Sequence, residues 1–528
     1  MKSSPNFSKL ILGCGSLLAI SSAQAVDLFW DGTPGAPDGT SNGGSGTWST
    51  SASNWDTGAA YQAWNNSNND TAIFGGTPGL PFVVTLGSNI NLSGIEIDYG
   101  SNGNSGSYTF EGNGNTITLG NSGGKRGSNS PGPNIYLANR DTTVNLNANI
   151  NNDGNLFTLA GERTSNQRVF VNGVISGSGG LSTFQSINAT LSGANTYTGK
   201  TTIDADTTSG STLNVFSINS VSGGTASSSL GAPTTIANGT IRLGNTGKQA
   251  GAALNYLGSG ETTDRVLEFA RNGNGATKTI NNNGSGLLKF TSTAIAVGGS
   301  TNNDITLGGS GDGELVGGLN FAFRNLTKTG SGTWTLGGGI GATGNINVNG
   351  GQLNISGANV TTTVNVGNNS TLGGTGTVGG NVSINNGGTL SPGNSSGTLT
   401  FTGNLTINNG ATYEFEGGFP VDGYISSQSD LVEVGGTLTL NDDWTLELGS
   451  GFEDGGSVLL FTYGALAPGA DLDPTIDTSG LGFTPSGSLT LFDDGNGSIF
   501  LLGISAIPEP STALLGMLGA LVLLRRRR

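Results

Sequence analysis

The sequence predicts an all-β solenoid, and three observations carry that prediction. One phrase recurs: Gly344-Asn345-Ile346-Asn347-Val348-Asn349, then Gly380-Asn381-Val382-Ser383-Ile384-Asn385, then Gly403-Asn404-Leu405-Thr406-Ile407-Asn408. Each copy leads through a Gly-containing turn to a new apolar residue: Leu353, Leu390 or Tyr413. A repeated strand–turn–strand unit buries its apolar face only by stacking on its neighbours. The composition agrees. Of 528 residues 95 are Gly, about 18% against an average near 7%, and only 10% are charged. Long helices need Ala, Leu, Glu, Lys and Arg in quantity, which is not this mix. The Gly residues keep no three-residue period, which excludes collagen. Finally, apolar residues alternate with period two between Gly/Asn turns, as short strands do and disordered chains do not.

The N-terminus reads as a secretory leader over residues 1–25. Lys2 and Lys9 precede the apolar core Leu10–Ile20, and Ala23-Gln24-Ala25 is a small-x-small cleavage site, so the mature chain is expected to begin at Val26. Export through Sec-type machinery follows. Ile11-Leu12-Gly13-Cys14 looks like a lipoprotein box, but the long apolar run surrounds that Cys instead of preceding it. The run is also well short of the ~20 residues that span a bilayer.

Residues 26–79 hold four of the six Trp: Trp30, Trp48, Trp55 and Trp64. The expectation is an N-terminal cap over the open first coil, since terminal repeats of a solenoid are atypical. The alternative is a carbohydrate-stacking face made by the same four rings. Residues 80–415 should form the β-helix. Val83–Leu86, Ile95–Ile97, Thr116–Leu119, Val169–Val171 and Ile241–Leu243 read as strands, with Asn at the corners because it tolerates left-handed backbone. Ser105–Pro133 reads as a projecting loop, and its Gly-Lys lacks the phosphate-loop pattern. The interval from Asn381 to Asn404 has the size of one coil; the longer interval from Asn345 to Asn381 implies an extra strand pair or partial coil between Val360 and Gly379. Residues 416–506 concentrate acids and read as a closing β unit.

Two segments resemble the autotransporter-associated β-strand repeat. Leu191-Ser192-Gly193-Ala194-Asn195-Thr196-Tyr197-Thr198-Gly199 matches one half of that repeat, and Leu326-Thr327-Lys328-Thr329-Gly330-Ser331-Gly332-Thr333-Trp334-Thr335-Leu336 the other. In the family the halves sit side by side; here each copy lacks its partner half. The resemblance implies a right-handed parallel β-helix, as in autotransporter passengers. A true autotransporter is not expected, because about 70 residues between Thr437 and the tail cannot supply a transmembrane barrel of many strands, each ~9–11 residues long.

The tail, residues 507–528, resembles the PEP-CTERM sorting signal. Pro508-Glu509-Pro510 leads into the apolar run Thr512–Leu524, and Arg525, Arg526, Arg527 and Arg528 end the chain. A helix over that run would be short for a bilayer core of ~30 Å, with Arg side chains snorkelling at a cytoplasmic end. The resemblance implies a transient inner-membrane anchor and an exosortase-like enzyme as partner. Order, length and charge of the segment all agree with the signal.

Candidate chemistry is sparse. The sequence has no His and one Cys, Cys14, in the leader, which removes the commonest general base, metal ligand and disulfide together. Leader and tail carry six of 20 basic residues and one of 35 acids, so the mature body has a net charge of −20. Such a body repels nucleic acid and anionic membranes. No cofactor is called for; calcium on the acidic C-terminal unit is the one ion left open, although Asp494–Ser498 lacks the Glu of a calcium loop. Asp442-Asp443 and Asp493-Asp494 read as turn acids, because neighbours on a strand face opposite sides.

The sequence therefore points to an exported bacterial surface or extracellular-matrix protein, structural or adhesive, not an enzyme, with extracellular polysaccharide as a further candidate partner. The alternatives are a carbohydrate-binding protein using the Trp-rich start and a polysaccharide lyase or glycosidase on a β-helix. Residues 344–410 carry no charge, so the repeat block reads as scaffold, and function is expected at the two ends.

Overall fold

In a computed structural model the chain is a parallel β-helix. The structure describes residues 25–504 apart from 101–105, 121–133, 163–165, 205–208, 246–249, 271–274, 300, 358, 394, 418–428, 450–456, 482–483 and 486. The cleavage-site residue Ala23 and the entire sorting tail, with its expected apolar helix, lie outside the described residues. Among the described residues no helix is long and apolar enough to cross a membrane.

Each coil sends one strand to each of three faces. The first face runs from Thr71–Phe74 through Gly94–Ile97 and Asn134–Leu137 to Ile295–Val297, paired parallel and in register. The second begins at Gly46–Trp48 and Pro81–Leu86 and passes through the three repeat copies. The third appears as Ile90–Leu92, Thr116–Leu119, Asn149–Asn151 and Ile175–Ser176, and returns as the ladder from Glu261–Thr263 to Thr475–Asp477. Between them the chain makes an excursion over residues 216–240 that contains the short helix Ile236–Gly239.

The interior is made of side-chain stacks. On the second face Leu307, Lys328, Val348, Val366, Ile384, Ile407 and Leu440 occupy one inward rung after another. On the third face Trp334, Leu353, Leu372, Leu390 and Tyr413 do the same. All of these residues are buried. Period two explains the pattern: every second side chain meets its equivalent one coil away, about 4.8 Å along the axis.

Inter-coil pairing shows that the repeat has a fourth member. Ile346, Val364, Val382 and Leu405 lie on successive rungs of one row, so two short steps of equal length precede a longer one. The segment between Val360 and Gly379 completes a full coil, not a partial one. Its second-face strand, Val364–Val366, is preceded by Thr362-Thr363 where the other copies have Gly-Asn, which hides it in the sequence. In the earlier coils the step varies widely, being short from Leu326 to Ile346 and long from Leu213 to Leu254, as the irregular spacing implies.

Three boundaries shift. Asp27–Trp30 pairs parallel with Thr71–Phe74, and Gly46–Trp48 with Pro81–Leu86, so coils begin inside the segment assigned to the cap. The parallel ladder also continues past Phe415: Leu431–Leu440 pairs with Thr398–Phe401 and Leu405–Ile407, and Thr445–Leu448 with Thr412–Phe415. Apart from the isolated bridge of Gly417 with Ser429, antiparallel pairing among the described strands at this end joins Ser498–Leu502 to Val458–Leu466 and Thr490–Asp493. The expected loop at 105–133 contains two coil strands, Ser107–Glu111 and Thr116–Leu119, because Tyr108, Phe110, Ile117 and Leu119 fill inward rungs.

The N-terminal end is filled by the tryptophans. Trp55 packs at centroid distances of 5.3 Å from Trp30, 5.0 Å from Trp48, 4.7 Å from Trp64 and 5.6 Å from Phe74. Truncating a ring with four aromatic neighbours leaves a cavity that the rigid ladder cannot collapse into. Trp55→Ala is expected to destabilise the N-terminal coils by about 3–5 kcal/mol, measured as a lowered guanidinium midpoint; a loss below about 1 kcal/mol would show that the cluster does not hold that end.

Candidate functional site

The four Trp rings are 0–2% exposed. Their indole faces contact one another, and Trp30 Nε1 and Trp64 Nε1 donate to Gly44 O and Asn91 O, both at 2.9 Å. The alternative of a stacking face for sugar finds no exposed ring here: the four rings that would make it are core. The physical reason is volume, since the open end of the stack needs large apolar side chains to fill it and these rings supply them.

Alternate residues of the segments that carry the repeat resemblance are also internal. Asn195 Oδ1 accepts from Ile175 N at 2.7 Å, and its Nδ2 donates to Ser229 O at 2.8 Å. Tyr197 is buried with its hydroxyl 2.7 Å from Thr201 Oγ1. Lys328 points inward, and its Nζ donates to Thr329 O, Gly330 O and Gly350 O at 2.8–3.0 Å. Burial lowers the Lys328 ammonium to about 8. Trp334 Nε1 donates to Gly308 O at 3.0 Å. These inward polar atoms close the corners of adjacent coils, while Thr333 and Thr335 of the same motif face outward.

A concave site lies where sequence reasoning placed none. Along the outside of the third face runs a groove of about 540 Å³. Its floor is two rows of side chains. Thr333 and Gln352 are register partners in one row, and Thr335 and Asn354 in the next. The second row continues through Gly373 to Ser391. A Cβ on Gly373 would fall 2.6 Å from Asn354 Oδ1 and 2.7 Å from Ser391 O, so glycine keeps the floor open there. Asp312 and Glu314 stand at one end of the groove, and Glu414 and Glu416 at the other.

Coil length builds the walls. The step from Val382 to Leu405 is longer than that from Val364 to Val382, and the step from Leu405 to Leu438 is longer again. The residues added in the first of these steps leave at a corner, after the third-face strand Gly388–Pro392; the second corner follows Thr412–Phe415. Ser391, Gly393 and Ser395 of the first corner line the groove. Asp430 fastens the two corners together. It is 1% exposed and accepts from Gly397 N at 2.9 Å and from Glu416 N at 2.7 Å. Burial raises its carboxyl to about 7, and the Glu416 and Glu414 charges add to that, against the two backbone donors.

Other ionisable groups hold one another. On the first face Lys200 Nζ lies 2.9 Å from Glu268 Oε2, and Arg242 Nε 3.3 Å from Glu268 Oε1. These three side chains form a network across successive coils. Arg265, fully buried, donates to Gly239 O, Ile218 O and Leu230 O and holds the 216–240 excursion against the stack. Among the described residues no group of three or more Asp, Glu, Cys or His is arranged to hold a metal ion. Asp494 Oδ1 accepts from Asn496 N and Ser498 N, as a turn acid does.

No family model matches the chain. The chain is similar to the adhesin BmaC autotransporter of Brucella suis biovar 1 (strain 1330), with 29% identity over 450 residues. That alignment covers 72% of this chain and 12% of the Brucella protein, so the chain spans about an eighth of that relative's length.

The Asp430 environment has a consequence with a defined sign. The folded state holds this proton more tightly than the unfolded state, whose carboxyl keeps its ordinary value of 3.8. The folded state therefore binds more protons between these values, and the Asp430 contribution to stability declines as pH rises from about 4 to about 7. Denaturation midpoints of wild type and Asp430→Asn, compared at about pH 4.5 and about pH 7.5, are expected to show a smaller loss in the variant. Equal losses would mean that this carboxyl does not titrate in that window.

Proposed function

We propose that the protein is an exported bacterial surface or extracellular-matrix protein whose coil stack acts as an adhesive scaffold and performs no catalysis. The observation that carries this reading is the β-helix itself, closed by buried Asn195, Tyr197, Lys328 and Trp334 of the repeat motifs and similar in sequence to an autotransporter adhesin. A parallel stack supports function at a distance, since each coil adds about 4.8 Å of length without needing new core design. The leader ending at Ala23-Gln24-Ala25 supports passage through Sec-type machinery.

Within this reading the tail sorts the protein. Pro508-Glu509-Pro510, the apolar run and Arg525–Arg528 hold the chain at the inner membrane until an exosortase-like enzyme acts on it, after which it reaches the surface or matrix. Deleting residues 507–528 in the native host is expected to send the protein to the medium with no membrane-bound intermediate and no C-terminal processing, read by fractionation and mass spectrometry of the C-terminus. Unchanged fractionation would remove the sorting role.

A further inference from the structure

We propose that the third-face groove binds an extended polysaccharide that carries free amino groups. The proposal deepens the surface reading above by naming the class of polymer held, and it rests on that reading for the polymer's presence.

The shape selects a linear ligand. The groove follows the helix axis, and its second floor row advances rung by rung from Glu314 through Thr335, Asn354, Gly373 and Ser391. Five rungs separate Glu314 from Glu414, about 24 Å at ~4.8 Å per rung. One rung is close to the length of one hexose in an extended chain, so floor side chains and sugar units stay in step over the site.

The floor chemistry selects a polyhydroxylated ligand. The floor is the flat of a sheet, whose backbone N–H and C=O groups are engaged in the ladder between coils. A peptide strand that needs a sheet edge finds none here. What the floor offers is the hydroxyl groups of Thr333, Thr335 and Ser391 beside the amide pair in which Gln352 Nε2 donates to Asn354 Oδ1 at 2.8 Å. Such groups both donate and accept, which matches sugar hydroxyls. Among the described residues no aromatic ring lines the groove, so binding depends on polar contacts and charge.

The charge selects amines. Lys289 holds Glu314 at 2.9 Å; Asp312 at that end accepts from Thr333 N through Oδ1 at 2.8 Å, and Glu414 and Glu416 line the other end. A chain of net charge −15 repels polyanions. A polymer with ammonium groups is attracted to both ends and gains charge-assisted hydrogen bonds there.

The test is calorimetric titration of the full-length secreted chain with a glucosamine hexamer, beside its N-acetylated counterpart and hexalysine. The glucosamine hexamer is expected to bind saturably and at least about tenfold more tightly than either control. Glu414→Gln/Glu416→Gln and Thr333→Val/Thr335→Val are each expected to weaken it about tenfold, with circular dichroism unchanged. A bulky side chain in Ser395→Trp, at an exposed wall position, should block it. Absent binding, equal binding of hexalysine or of the acetylated hexamer, or full affinity in the well-folded variants would each overturn the proposal. Display of the wild type on whole cells separates the two readings: normal display with no glycan binding defeats the groove alone, and absence of display defeats the surface role.

Discussion

The structure depends on one constraint: the parallel register between coils. Once Ile346 sits on Val364 and Val364 on Val382, every other position on those strands is fixed, because a slip of one residue turns the inward set outward. The constraint acts on inward and outward rows alike. Inward rows become stacks of Val, Ile and Leu, with occasional Tyr or Trp. Where an inward rung carries a charge, it must be satisfied at once. Lys328 occupies such a rung between Leu307 and Val348 and meets three carbonyls at the next corner. Lys278, on the rung between Ala252 and Ile305, is likewise buried and lowered to about 8 by that burial.

The fold was largely legible for this reason. Register repeats a phrase in the chain, so the strands at Ile346, Val382 and Leu405 are visible as Gly-Asn phrases. The copy at Val364 was not visible, since what the rung requires is the Val-Asn-Val of its strand and not the Gly-Asn before it. The boundaries were blurred because the ladder passes through composition changes: the acidic stretch after Phe415 still offers Leu438, Leu440 and Leu446 to inward rungs. The tryptophans left two readings open because a ring suited to a sugar face is equally suited to a core, and sequence alone does not say which side of a strand begins the alternation. The groove was illegible for a different reason. Thr335, Asn354 and Ser391 are neighbours only through the coil step, and no short window of sequence contains two of them. The neutrality of residues 344–410 pointed to scaffold, yet Gln352, Asn354 and Ser391 of that block belong to the groove floor.

Register also dictates where the chain varies. The strands cannot lengthen without disturbing the coils on either side, so added residues leave at corners. The excursion at 216–240 emerges after the second-face strand Ser211–Val215 and ends at the first-face strand Ile241–Leu243, in the place of a third-face strand, and is fastened by Glu261 to Ile218 N and Asn219 N, by Asp264 to Val221 N and Ser222 N, and by Arg265 to carbonyls. The groove walls emerge at another corner and are fastened by Asp430. In both places a side chain of the stack grips the backbone of the excursion. The stack thus treats an excursion as it treats a coil edge, by satisfying its backbone from a fixed rung.

The low charge content follows from the same geometry. An outward row places equivalent positions about 4.8 Å apart, where two like charges repel by about 1 kcal/mol even in water and more near a protein surface. A long row of one charge would oppose its own ladder, whereas a row of Thr does not. The row Thr371, Thr389, Thr412, Thr445, Thr475 is of that kind. Charges are tolerated as opposite neighbours, as in Arg242 with Glu268, Lys289 with Glu314 and Arg324 with Asp304. Glu414, Glu447 and Asp477 break the pattern: they hold three successive rungs of one row. The Glu447 carboxyl is raised first by burial and then by the charges of Glu414 and Asp477. The row thus carries a repulsion that the rest of the ladder avoids, and it does so at the end of the groove, where Glu414 belongs to both. A ladder that elsewhere sets its charges in opposite pairs keeps like charges together at this end.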